Sequence, residues 1–279
     1  MLLVDFNQIF LSSIFSQLKQ TSNFDANLVR HIVLSCILSY RNKWGNEYGD
    51  LVFCCDGKNY WRKEKFKYYK ANRKKSRDSS GLNWTPIFDA LNTIRAELKD
   101  NMPYRLIEIE TAEADDIIAT LCKTFHDKEK ILILSGDRDF VALQKYPNVK
   151  QYSPVQKIFV STDNPEVYLK NKILSGDRGD GIPNLLSDDD CFVVPGKRQS
   201  RMTQKRLDYY LRTPIEKYEE GPLKNFRRNE LLIDLSNVPS DLEHRILECY
   251  KEQTPSKKNM MKYFLDKRLT LLLEHLNNF

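Results

Sequence analysis

The run Ile-Leu-Ile-Leu-Ser-Gly-Asp-Arg-Asp-Phe, residues 131–140, constrains the chain most. Its four leading β-formers are too few for a helix and stop at Ser135-Gly136, so they predict a buried strand. Two carboxylates, Asp137 and Asp139, follow directly at its C-terminal end. In an open α/β sheet, ligands bind in the crevice beyond the carboxyl ends of the strands. Neighbouring acids also repel unless a cation or a proton relieves them. By itself an Asp-x-Asp turn with Arg138 as counter-charge is a solvated loop. Here it has company. Asp5 ends the apolar stretch Leu2–Val4, Asp56 ends Leu51–Cys55, and Glu113, Asp115 and Asp116 open a helix with Thr111 as its expected cap. Asp177 and Asp180 flank a glycine-rich turn.

Strand and helix signals alternate up to about residue 160, which predicts an α/β fold with a mostly parallel central sheet flanked by helices. A helix from Asp25 to about Trp44 should end at Gly45, and residues 149–160 read as a hairpin. The expected organisation is a core over residues 1–180, with a basic segment at about 57–80, and a mainly helical, DNA-binding region over 181–279. In the latter, residues 256–277 carry Met261, Phe264, Leu265, Leu269, Leu272, Leu273 and Leu276 at near-helical spacing, a core-packing face.

The 279 residues include 44 Lys and Arg against 38 Asp and Glu, so the net charge is +6 and its distribution matters more than its size. Six cysteines form no Cys-x-x-Cys pair and there are four histidines, which argues against a zinc module and for a reducing, cytoplasmic setting. The N-terminus lacks the basic flank of a signal peptide, and no apolar run is long enough to span a membrane. A monomer is expected.

The basic charge is concentrated. Residues 57–77 hold ten Lys/Arg against one Glu, interleaved with Tyr60, Trp61, Phe66, Tyr68 and Tyr69. Lys and Arg neutralise phosphates and aromatic faces stack on unpaired bases, so Arg62, Lys63, Lys67, Tyr69, Lys70, Arg73 and Lys74 are candidate nucleic-acid contacts. A solvated basic face is the competing reading. A second patch, Lys197, Arg198, Arg201, Lys205, Arg206 and Arg212, precedes the C-terminal helices. The acids Asp188–Asp190 beside it read as a solvated loop.

Nine carboxylates fall at strand ends, helix starts or tight turns: Asp5, Asp56, Glu113, Asp115, Asp116, Asp137, Asp139, Asp177 and Asp180. An all-oxygen donor set selects Mg²⁺ or Mn²⁺ rather than zinc. Beside phosphate-binding basic runs, it points to two-metal phosphodiester hydrolysis.

The ordered set Val-Asp5-Phe-Asn, Asp56, Glu113-Ala-Asp115-Asp116, Ser-Gly-Asp137-Arg-Asp139-Phe and Gly-Asp177-Arg-Gly-Asp180-Gly-Ile-Pro resembles the flap endonuclease/5′–3′ exonuclease superfamily, whose core is PIN-like. Tyr-Trp-Arg-Lys at 60–63, Tyr-Tyr-Lys-Ala-Asn-Arg at 68–73 and Lys-Tyr-Pro-Asn-Val-Lys-Gln at 145–151 narrow the likeness to its T-even-type phage ribonuclease H branch. The resemblance implies a nuclease that removes RNA primers and short 5′ segments from RNA·DNA hybrids, duplex DNA and 5′-flap DNA during replication. It implies two Mg²⁺ ions, replaceable by Mn²⁺. Asp5, Asp56, Glu113, Asp115, Asp137 and Asp139 would build the first metal site, and Asp137, Asp139, Asp177 and Asp180 the second; Asp116 matches an acid found in part of the superfamily. Asp5, Asp56 and Glu113 would be catalytic, with Lys70 and Arg73 on the scissile phosphate from a helical arch. A single-strand-binding protein or a sliding clamp falls within the range of partners. After Pro183 the superfamily's glycine-rich helix-hairpin-helix turn is missing, so duplex gripping is expected from Lys197–Arg212. Competing readings are a phosphatase, for which Asn7 stands where a second Asp is needed, a non-catalytic nucleic-acid binder, and a single-strand ribonuclease of related fold.

Overall fold

The computed structural model describes residues 1–20 and 23–279. The elements run β1 (Leu2–Asp5), α1 (Phe6–Gln20), α2 (Ala26–Tyr48), β2 (Leu51–Cys55), α3 (Trp61–Lys65), α4 (Arg73–Asp78), α5 (Trp84–Asn101), β3 (Arg105–Glu108), α6 (Ala114–Phe125), β4 (Ile131–Leu134), β5 (Val149–Ser153) and β6 (Ile158–Val160). Then follow α7 (Pro165–Ser175), α8 (Gln204–Arg212), α9 (Glu220–Ile233), α10 (Ser240–Glu252), α11 (Met260–Asp266) and α12 (Thr270–Leu273). The sheet order is β3-β2-β1-β4-β5-β6, with β6 antiparallel and every other pairing parallel.

The three central strands, β2, β1 and β4, are continuous apolar runs because both faces of the sheet are covered there. Leu2, Val4, Phe53 and Leu134 pack on one side, among side chains from α1, α2 and α5. Leu3, Val52, Cys54 and Ile133 pack on the other with Ile117 and Leu121 of α6. The chain's end covers both sides: Leu242 and Ile246 of α10 join the α6 face, and Met260, Tyr263, Phe264 and Leu272 join the opposite one.

Local signals set most boundaries and tertiary packing moves the rest. Asp25 caps α2 as expected, accepting from the backbone N–H of Asn27 and Leu28 at 2.8 and 3.2 Å. The helix nevertheless runs through Gly45 to Tyr48, which is buried, and stops at Gly49 with φ +84°. One internal glycine costs a helix only about 1 kcal/mol, and packing one more turn outweighs it. Glu113, not Thr111, caps α6: its side chain and that of Asp116 reach each other's backbone N–H in a capping box. The expected single helix over 256–277 is broken between α11 and α12, where Arg268 takes φ +55°. Met261 and Leu265, expected to face the core, are exposed; Phe264, Leu269 and Leu272 are buried as expected, joined by Met260 and Tyr263.

The basic segment is less open than its sequence suggests. Trp61 is buried among the α6-side residues, and Phe66 and Tyr69 join Ile173, Leu174, Ile182, Phe226 and Leu232 in a third apolar cluster. The interleaved aromatics at these three positions therefore anchor the segment rather than offer stacking faces. Lys63, Lys67, Arg73 and Lys74 remain exposed.

Candidate active site

Parallel pairing of β2, β1 and β4 carries their carboxyl ends to one edge, so Asp5, Asp56 and Asp137 emerge side by side. The N-terminus of α6 brings Asp115 among them. All four line a single cleft of ≈ 780 Å³, with Asn7 and Gln8 from α1, and Lys70 and Arg73 from the basic segment.

Each acid is fixed differently. Asp5 accepts from the Gln8 backbone N–H at 3.2 Å and from the Ser135 hydroxyl at 3.1 Å. Burial, with the neighbouring charges of Asp56 and Asp137, pushes its carboxyl up to about 7. Asp56 accepts from the Ala114 N–H at 2.8 Å and from the Asn7 amide at 2.5 Å. Asp115 is raised well above the ordinary carboxylate range by burial and then by Asp137, against Lys70. Asp137 is raised too, first by desolvation in the cleft and then by Asp180 and Asp177, with Lys172 opposing. Acids crowded this way favour a proton or a hard cation among them.

The other five expected ligands are held by cations of the chain itself. Glu113, only 1% exposed, accepts from Arg62 at 3.0 Å and from the Tyr69 hydroxyl at 2.7 Å, and pairs with Lys70. Asp180 pairs with Arg73 at 2.6 Å and Lys70 at 3.7 Å, and accepts from Tyr69 at 3.0 Å. Burial works to raise its carboxyl, but Lys70 and Arg73 outweigh it and the value falls. Asp139 and Asp177 both pair with Lys172, the latter at 3.2 Å.

Asp116 is corrected. It is fully buried beneath the cleft, ion-paired to Arg62 at 2.8 Å and accepting from the Trp61 indole at 3.2 Å and the Glu113 N–H at 2.9 Å, so its charge serves the helix start. Arg62 is corrected with it: 2% exposed, it donates to Glu113 and to the Leu232 carbonyl at 2.9 Å, out of reach of any phosphate. Tyr69 likewise bridges two carboxylates and presents no free ring face. In the second patch, Lys197 is occupied by Asp188 and Asp190 at 2.9 and 2.5 Å, so the acidic loop, largely exposed as expected, is also ion-paired. Arg198, Arg201, Lys205 and Arg206 are exposed.

Lys70 owes its place to backbone strain and to a turn. It sits at φ +56°, and its N–H donates to the Asp180 carbonyl at 2.7 Å. Gly181, at φ +73°, lies so close beneath that an added Cβ would come within 2.9 Å of the Tyr68 carbonyl. The 176–182 turn thus sets the height of Lys70 over the acids.

Sequence reasoning missed four groups. Asn7 and Gln8 follow Asp5 in the first turn of α1, a position that could have marked them; Gln8 accepts from the Gly136 N–H at 2.5 Å. Ser135 precedes Asp137 and braces it by accepting from its N–H at 3.1 Å. Lys172 carries no local signal for Asp139, because only the fold brings α7 to it; Asp177 follows five residues on, just past the end of α7.

The all-oxygen lining, with Asp5, Asp56 and Asp115 free of any paired cation among the described residues, fits a hard divalent ion. Among those residues no three acids already close on a point, so a bound ion would draw them inward with water completing its shell. No helix of the described residues is long and apolar enough to cross a membrane.

The fold has counterparts among solved structures. T5 5′-exonuclease with divalent zinc ions bound matches with a TM-score of 0.63 at 17% identity, over 90% of this chain and 98% of that one. A complex of the bacteriophage T5 D15 flap endonuclease with DNA and metal ions matches with a TM-score of 0.62, over 90% and 99%. By architecture this is a 5′-nuclease fold.

Sequence narrows the class. The family described as 5′-3′ exonuclease, N-terminal resolvase-like domain, matches residues 1–177, and the T4 RNase H C-terminal family matches residues 163–279. Ribonuclease H of Enterobacteria phage T4 is 32% identical over 99% of this chain and 95% of its own length. The 5′-3′ exonuclease of Mycoplasmopsis pulmonis is 26% identical over 66% and 61%. The chain belongs to the 5′–3′ exonuclease/flap endonuclease family, in its T4 ribonuclease H-like branch.

Proposed function

We propose that the protein hydrolyses phosphodiesters of RNA·DNA hybrids and of duplex or flapped DNA from the 5′ end, clearing RNA primers during phage DNA replication. The observation that carries the proposal is the facing of two sets of charge: Asp5, Asp56, Asp115 and Asp137 on the floor of one cleft, Lys70 and Arg73 on its wall. Those four acids would hold divalent ions, two Mg²⁺ or Mn²⁺, with Asp139, Asp177 and Asp180 at the outer side. Bound there, the ions would lower the pKa of a water and stabilise charge on the phosphate.

The chain's own side chains have separate tasks. Lys70 and Arg73, tethered through Glu113 and Asp180, stand ready to meet a phosphate as preorganised cations. Asn7 and Ala114 hold Asp56, and Ser135 and Gln8 hold Asp5, at the edge of the cleft. The exposed cations Lys63, Lys67 and Lys74 on the basic segment, and Arg198, Arg201, Lys205 and Arg206 beyond it, neutralise the substrate backbone.

The test uses a 5′-labelled RNA primer on long DNA beside a 5′-flapped DNA, with wild type and Asp137→Asn, each with and without Mg²⁺. Short 5′ products from wild type with metal alone, and none from the variant, support the reading. Full cleavage in excess chelator, or tight binding with no cleavage by wild type, removes it.

A further inference from the structure

The surface of α8 carries an arrangement that the cleft does not use. Leu207, Tyr210 and Leu211 turn inward onto the third apolar cluster. Lys205, Tyr209 and Arg212, spaced i, i+4 and i+7, therefore form one outward stripe. Tyr209 is 59% exposed, an unusual waste of a large ring on a solvent face. Recesses flank it on both sides: one of ≈ 630 Å³ lined by Leu186, Ser200, Thr203 and Arg206, and one of ≈ 940 Å³ lined by Asp208, Thr213, Pro214 and Lys217. Lys205 and Tyr209 border both.

The ring starts a short aromatic series. Tyr209 meets Tyr210 edge-on at 5.1 Å, Tyr210 meets Tyr218 at 5.0 Å, and the Tyr218 hydroxyl donates to the Tyr210 carbonyl at 2.5 Å. The charges are available. Among the described residues, Lys205, Arg212 and Lys217 enter no ion pair, Arg206 donates to the Arg201 carbonyl at 3.0 Å, and Asp208, the acid in the stripe's border, is taken by Gln204 at 2.8 Å.

We propose that this stripe binds a single-stranded segment of nucleic acid, with one unpaired base stacked on Tyr209 and flanking phosphates on Lys205 and Arg212. It rests on the nuclease reading for its context and specifies a site separate from the cleft. Duplex DNA presents mainly phosphates to a shallow basic surface and leaves an exposed ring without a partner. An unpaired base supplies the π-face, and its backbone tracks the cations on either side. The flap or the unpaired template of a primed substrate contains such a segment.

The test is fluorescence anisotropy with a short labelled oligodeoxythymidylate and a blunt duplex of equal length, for wild type, Tyr209→Ala, Tyr209→Phe and Lys205→Ala/Arg212→Ala. Tyr209→Ala should weaken single-strand binding roughly tenfold, as loss of one stacked base does, and change duplex binding far less. Tyr209→Phe keeps the ring and should bind as wild type. The double variant should lower the salt dependence of single-strand binding by about one unit of log–log slope. Unchanged affinity in Tyr209→Ala, or equal losses in Ala and Phe variants, overturns the site and leaves an acidic protein segment as the better occupant. Single-strand binding that depends on Tyr209 in a protein unable to cut the primed substrate would remove the nuclease reading and leave this one standing.

Discussion

At Lys70 a single side chain carries both a structural and a chemical charge. Its ammonium answers Glu113 and Asp180, and these pull it well above the ordinary lysine range although burial opposes. It is therefore a cation at neutral pH. Lys70→Ala should therefore cost about a hundredfold in single-turnover rate, the scale of one lost preorganised donor, with a smaller change in substrate affinity. A loss confined to affinity would put Lys70 with the outer cations. Glu97 offers a test of electrostatics away from the cleft. It pairs with Arg30 at 2.6 Å and Lys267 at 2.8 Å and accepts from Tyr263 at 3.0 Å. Burial alone would raise its carboxyl, yet Arg30 and Lys267 bring it below the ordinary value. An acid depressed in the folded state stabilises the fold above its unfolded pKa and loses that contribution as pH falls through the folded value. Glu97→Gln should cost about 1–3 kcal/mol in denaturant unfolding at neutral pH, and the gap to wild type should close below about pH 4.

At the scale of elements, the basic segment is tied to two others by one guanidinium. Arg62 on α3 joins Glu113 and Asp116 at the start of α6 to the Leu232 carbonyl of α9. Removing it leaves the buried Asp116 without its cation and Glu113 with Lys70 alone, so Arg62→Ala should lose about 3–5 kcal/mol of unfolding free energy. Nucleic-acid affinity per folded molecule should hold at low temperature; a stable variant with weakened binding would return Arg62 to the surface contacts. Its role was illegible because a basic run of ten cations gives no sign of which one the fold turns inward. Burial of Trp61, Phe66 and Tyr69 has the same origin: interleaved aromatics fit a stacking face and an anchored loop equally well. The broken C-terminal helix shows a further limit, since a near-helical spacing of leucines does not reveal a turn at Arg268.

For the whole molecule, the cleft sets stability against its acids. Burial and mutual repulsion raise Asp5 and Asp115, so ionising them opposes the fold until a cation arrives. In chelator at pH 8, Asp5→Asn should melt at a higher temperature than wild type. Mg²⁺ or Mn²⁺ should reverse the order, because a ligand that binds only the native state stabilises it by mass action. Equal melting shifts with metal in both proteins would place the ions elsewhere.

The sequence by itself determined the sheet core, the acids at its strand ends and the family they mark, because burial on two faces writes continuous apolar central strands and each of these delivers its acid at its end or within three residues of it. Periodicity is a local property, and so is an acid that follows a strand. The tertiary structure alone decided which acids open into the cleft and which are answered from within. Arg62 meets Asp116, Lys172 meets Asp139, and Lys70 meets Asp180 across gaps of 33 to 110 residues. Charge pairing at such separations is set by where the chain returns, which no local pattern encodes.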